Sequence, residues 1–172
     1  ELSVEFNGKR LPKFFFNPNP KSEDFLVDAI DAAKETFDLS AFTFRSTKLA
    51  EAILRAKGRG VKVRILIDQS QHDSDAVKPY RDWFAFHKIK VRILAGPDPN
   101  GPDWAQKNHN KFFIVDGKLV ETGSMNFTKN AVMFNFENGS FTTDKTDVAA
   151  YKAFFDDLWK NRNGKAAEAP ES

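Results

Sequence analysis

Residues 108–128 read NHNKFFIVDGKLVETGSMNFT, and they place chemically able side chains around a run that has no chemistry of its own. His109 and Lys111 stand two apart, so on a strand they share a face with Phe113, while Phe112 and Ile114 face the other way. Asp116-Gly117 is a hairpin signal. A chain that reverses there returns Ser124 and Asn126 to the height of His109 and Lys111. A fixed ammonium and a side-chain amide can hold two non-bridging oxygens of a phosphodiester, with a hydroxyl assisting. A neutral imidazole can attack phosphorus or deliver a proton near pH 7. The segment holds no second histidine and no carboxylate cluster suited to a metal, so chemistry without metal or other cofactor is expected.

The elements that must position these groups follow from periodicity. Short β-prone pieces open the chain and end at Pro18 and Pro20. Ser22 reads as the N-cap of an amphipathic helix carrying Phe25, Ala29, Ala33 and Phe37 at intervals of four. DLSAFTF is a strand, STKLAEAILRAKGRG a second helix, and VKVRILID a cleanly alternating strand. A helix over 74–87, a strand KVRIL and a turn-rich loop follow. After the KFFIVD and KLVETGS hairpin come a short helix over 128–134, a strand in NFENGSFTT and a closing helix. That last helix is expected to bury Val148, Tyr151, Phe154, Phe155 and Leu158. Strand–helix alternation implies parallel pairing with right-handed crossovers. The expected architecture is α/β, a central mixed and mostly parallel sheet with helices on both faces. It forms one domain over 1–163, with a disordered tail over 164–172.

Composition narrows the classes. Phenylalanine accounts for 18 of 172 residues, so some rings could line a surface that receives bases or lipid tails. A net charge of +2 permits a phosphate-rich partner without demanding one. The absence of cysteine excludes disulfides, thiolate catalysis and cysteine-ligated zinc. No apolar run approaches the ~20 residues of a membrane-spanning helix. The chain begins at Glu1, read as loss of a signal peptide, tag or neighbouring domain, with a periplasmic or secreted location favoured over a cytoplasmic one.

His109-x-Lys111, Asp116 beyond it, then Gly123-Ser124-x-Asn126 resembles the HxKx4Dx6GSxN signature of the phospholipase D superfamily. Six specified positions at fixed spacing should coincide by accident less often than about once in 10⁵ such chains. The resemblance extends to FNPNP, AIDAAKETFDLSAFTF, AILRAKGRGVKVRILID and NFENG. With one copy of the motif, the chain is most similar to the small bacterial endonucleases and the mitochondrial cardiolipin hydrolase type. The resemblance implies a homodimer with its active site on the two-fold axis. One His109 would form a covalent phosphohistidine while the other serves as acid and base. Lys111 and Asn126 would hold the phosphoryl oxygens, assisted by Ser124, and Glu137 would accept from the second imidazole nitrogen. Asp116 belongs to the catalytic motif, although its hairpin position favours structural support over direct chemistry.

Simpler readings stand beside these. DQSQHDSD, with Asp68, His72, Asp73 and Asp75, reads more readily as a polar loop than as a metal site. His87 suits a helix end, and Lys57, Arg59, Lys62 and Arg64 suit a solvated face that could also track a nucleic-acid backbone. Met133 and Phe134 read as core. The leading expectation is a non-specific endonuclease acting on DNA or RNA. The alternative is a phospholipase D acting on phosphatidylcholine or cardiolipin, which exposure of Phe112, Phe113, Phe127 or Phe134 near His109 would favour. A non-catalytic binding module, or half of a two-motif enzyme, completes the set.

Overall fold

A computed structural model describes residues 2–98, 100–102, 104–160 and 166–168. The chain opens with the hairpin β1 (Ser3–Phe6) and β2 (Lys9–Pro12), then β3 (Phe14–Asn17), α1 (Ser22–Asp31) and β4 (Thr36–Ala41). Next come β5 (Phe44–Arg45), α2 (Thr47–Gly58), β6 (Lys62–Asp68), α3 (Gln69–His72), α4 (Lys78–Phe86) and β7 (Val91–Leu94). The second half holds β8 (Lys111–Val115), β9 (Leu119–Gly123), β10 (Phe127–Thr128), α5 (Lys129–Met133), β11 (Glu137–Thr142), α6 (Lys145–Lys160) and β12 (Ala166–Glu168).

Eight strands form one sheet in the order β12-β7-β6-β4-β8-β9-β11-β3. The sheet is mixed, as expected, but its balance differs from the expectation. Only β4–β6 and β6–β7 are parallel, and the other pairings are antiparallel. The βαβ rule holds where helices cross over, whereas β8 enters antiparallel to β4 and the hairpin after it continues that sense into β9. Of the expected tail over 164–172, only Ala166–Glu168 are described, and they pair with β7 as an antiparallel edge strand. The helix expected over 74–87 is shorter, because Pro79 fixes its start at Lys78 while α3 stands apart. Ser22 is the first residue of α1 and not its cap; its hydroxyl donates to the Asn17 side chain.

Both faces of the sheet are covered. Phe113 and Val115 join α1, α2 and α4 in one core, while Phe112 and Ile114 join Val148 and Phe155 of α6 in another. In α6, Val148 and Phe155 are buried, Tyr151 and Leu158 are partly buried, and Phe154 remains 44% exposed. Of the basic set, Lys57, Arg59 and Arg64 work as clamps, and only Lys62 keeps the solvated position expected of the whole set. Arg64 bonds Asp38 and Asp156 over the Phe155 ring, and Arg59 holds the last carbonyls of α1. Lys57 donates to the carbonyl oxygens of His87 and Lys88.

Glu121 of β9 is a buried carboxyl among phenylalanines, lying opposite Phe113 and Phe141. Burial pushes its pKa well above the ordinary glutamate value. A carboxyl whose folded pKa is raised contributes most below its unfolded pKa, and stability falls as pH rises toward the folded value. Glu121→Gln is therefore expected to raise unfolding free energy by about 1–3 kcal/mol near pH 7. The gain should vanish below about pH 4, and thermal melts across that range check it.

Candidate active site

The interior of β8 is apolar on both sides, and the polar groups collect where it begins. Lys111 is its first residue, and His109 lies just before it, exposed. Lys111 Nζ lies 3.0 Å from His109 Nδ1 and donates to the His109 carbonyl oxygen at 2.8 Å. Phe42, at the end of β4, lies against both: its ring centroid is 4.8 Å from that of His109 and 5.7 Å from Lys111 Nζ. Sequence reasoning missed Phe42. The available signal was an aromatic residue at the carboxyl end of a parallel strand, where α/β sheets bind ligands.

The hairpin delivers the remaining groups. Asp116 and Gly117 both have positive φ, 55° and 60°, as the central residues of a type I′ turn do. Register then pairs Phe112 with Thr122, so Ser124 leaves β9 beside the start of β8. Gly123 is required by close approach: a Cβ there would meet Asn138 O at 2.1 Å. Ser124 N donates to Asn138 O, its hydroxyl accepts from Asn138 N at 3.0 Å, and that hydroxyl donates to the Glu137 carboxylate. Asn126 is half-buried, and its Oδ1 is buried with no partner. An amide turned about its last bond can present either an acceptor or a donor at that point.

Lys111 is subject to two opposing influences. Burial lowers its pKa below the ordinary lysine value, and the Glu137 carboxylate pulls it back up. Two contacting pairs, His109 with Lys111 and Ser124 with Glu137, are thus linked by the electrostatic pull of Glu137 on Lys111. One expected contact is different. Within this chain Glu137 accepts from Ser124, and His109 Nδ1 faces Lys111. An Nδ1 that accepts from lysine leaves the ring proton on Nε2; an attacking Nε2 needs the other tautomer.

Asp116 does not join the cluster. Five residues of strand, roughly 16 Å, separate it from Lys111, and its carboxylate accepts from the backbone N–H groups of Lys34, Glu35 and Thr36 and from Asn7 Nδ2. It ties the β8–β9 turn to the start of β4, the structural support favoured by its hairpin position and not direct chemistry. His87 caps the end of α4 and packs against Trp83 and Phe86. In the DQSQHDSD segment, Asp68 caps α3 and bonds Asn108 N, and buried His72 faces Asp73. No group of three or more metal-ligating side chains comes together among the described residues.

Residues 26–159 match the family model described as cardiolipin synthase, PLD-like domain. The chain belongs to the phospholipase D superfamily. It is 35% identical over 136 residues to a phospholipase D of Rickettsia prowazekii, covering 79% of this chain and 62% of that protein. It is 31% identical over 140 residues to the human mitochondrial cardiolipin hydrolase, covering 80% of this chain and 51% of that one. The chain therefore spans about half to three fifths of the length of these curated relatives. A phospholipase D family member, Nuc from Salmonella typhimurium, superposes with a TM-score of 0.76 at 29% identity, covering 91% of this chain and 97% of that one. NucT from Helicobacter pylori gives 0.75 at 25%, covering 88% and 97%.

Asp116→Ala is expected to cost about 2–4 kcal/mol of stability through the lost charge-assisted hydrogen bonds. Denaturant unfolding measures it, and a change below about 0.5 kcal/mol would remove the carboxylate from its supporting role.

Proposed function

We propose that the chain is a metal-independent phosphodiesterase, a non-specific endonuclease acting through a covalent phosphohistidine at a site completed by a second copy of the chain. The observation that carries it is a single exposed imidazole beside a partly desolvated lysine, in a chain that also carries exposed, uncommitted cations. Arg45, Lys107 and Lys129 are exposed and form no ion pair among the described residues, unlike the clamping cations elsewhere. Arg45 pairs in β5 with Thr128 of β10, and Lys107 lies two residues before His109. Such cations suit successive phosphates of a backbone.

Phosphoryl transfer needs a nucleophile, an acid for the leaving oxygen and a base for water. This chain supplies one imidazole to the cluster, so a second copy supplies the other. With its ring proton held on Nδ1, the tautomer attack requires, His109 attacks phosphorus through Nε2 and the P–O bond to the leaving group breaks. The imidazolium of the second copy gives that oxygen its proton. The same ring, now neutral, takes a proton from water, whose oxygen displaces His109 from phosphorus. Lys111 and Asn126 hold the charge that develops on the non-bridging oxygens, and Ser124 adds a hydrogen bond.

A second reading, a phospholipase, is favoured by a different observation. Of the four phenylalanines named from sequence, Phe112, Phe113 and Phe127 are buried, but Phe134 is 77% exposed. Phe136, directly before Glu137, is 95% exposed, and Phe16 of β3 is 66% exposed across from Asn138. Met133 and Phe134, expected as core, instead lie on the surface. The relatives named for lipid hydrolysis fit this reading.

Cleavage of labelled single-stranded DNA is expected to persist in EDTA, to weaken steeply with added salt, and to fall at least about a thousandfold in His109→Ala. Loss of activity on chelation would sink the metal-independent mechanism. The double change Phe134→Ser, Phe136→Ser is expected to leave DNA cleavage within about threefold of the unaltered chain. Selective loss of cardiolipin-vesicle hydrolysis in that variant would establish the lipid reading instead.

A further inference from the structure

His109 stands outside the regular sheet, two residues before β8 begins, so the strand ladder does not fix where the imidazole stands. The restraint lies one residue upstream. Asn108 N donates to Asp68 Oδ1 at 2.7 Å, and the Asn108 side chain, 3% exposed, meets Ser40 Oγ and accepts from Asn110 Nδ2 at 2.9 Å. Asp68 ends β6, Ser40 lies near the end of β4, and Asn108 leads into β8. These strands are consecutive in the sheet, so the contacts run across their ends directly beneath the catalytic loop.

The carboxylate itself is unusual. Asp68 is 1% exposed and pairs with no cationic side chain among the described residues. Its partners are the Asn108 and Ser70 backbone N–H groups and the Ser70 hydroxyl. A buried carboxylate has given up hydration and is tolerable only while such donors are held on it. Its bond to Asn108 N is charge-assisted and short, and its direction is set by the rigid end of a central strand.

We infer that Asp68 is a positioning residue for His109, acting through the backbone of Asn108. The inference rests on the phosphodiesterase reading, in which His109 must meet phosphorus in line; a loop free to shift by about 1 Å would lose roughly a hundredfold in rate. Phe42 restrains the ring from one side, and Asp68 restrains the backbone that carries it. Ser70 provides the internal control, because it contacts the same carboxylate from α3 without touching Asn108.

Asp68→Asn is expected to lower kcat by about 20- to 100-fold with KM changed less than about twofold, the split of a lost orienting contact. Ser70→Ala should stay within about threefold of the unaltered chain in kcat. An equal loss in Ser70→Ala would mean that Asp68 matters only as the cap of α3, and a pure KM effect would mean that it matters for binding; either overturns the inference. A variant-free measurement separates this from failure of the phosphodiesterase reading. In the full, unaltered chain, the Asn108 amide should exchange at least about a hundredfold more slowly than that of Lys107. Equal exchange rates would overturn the anchoring whatever the protein cleaves, and slow exchange with no phosphodiesterase activity would keep the anchor while removing its catalytic purpose.

Discussion

A strand covered on both faces can carry polar side chains only at its ends, and β8 is such a strand. Phe112 and Ile114 enter one core, and Phe113 and Val115 enter the other. The chemistry is therefore displaced to the two ends. At one, Asp116 collects backbone N–H groups and pins the turn; at the other, Lys111 and the exposed His109 meet. The motif couples these ends because the hairpin pinned by Asp116 sets the register that returns the end of β9, with Ser124 just beyond it, to the start of β8.

Charge is divided in the same way. Arg64, Arg59 and Lys57 are committed to carboxylates or carbonyls that hold α6, α1 and α4 against their neighbours. Arg45, Lys107 and Lys129 are exposed and carry no such commitment among the described residues. Structural cations are locked where removing them would leave a buried acceptor unsatisfied, whereas free ones can exchange water for an anion at little cost. Lys111 stands between these cases, partly desolvated and partly compensated by Glu137, which makes it responsive to a phosphoryl group.

The cluster also has a one-sided character. The imidazole is exposed, its Nδ1 faces lysine, and Glu137 is engaged by Ser124. The local groups contain one proton-transfer ring, which is why symmetry enters the proposed mechanism. Phe16, Phe134 and Phe136 are exposed, Phe16 across from Asn138 and Phe136 directly before Glu137, which is the surface the lipid reading draws on.

The sequence by itself determined the α/β class, the crossover units, the Asp116-Gly117 turn, the motif residues and their superfamily, because each is written in local periodicity, turn chemistry or fixed spacing. Periodicity reports which face of an element is apolar but not which element covers it. Tertiary structure alone decided that antiparallel pairs outnumber parallel ones, that Asp116 collects the N–H groups of Lys34, Glu35 and Thr36, and that Lys57, Arg59 and Arg64 clamp helices. It also decided that Phe134 faces outward and that Phe42, Asp68 and Asn108 surround His109. Each of these depends on side chains far apart in the chain, Asp68 and Asn108 or Arg64 and Asp156, meeting across the ends and faces of one sheet. No local pattern encodes that meeting.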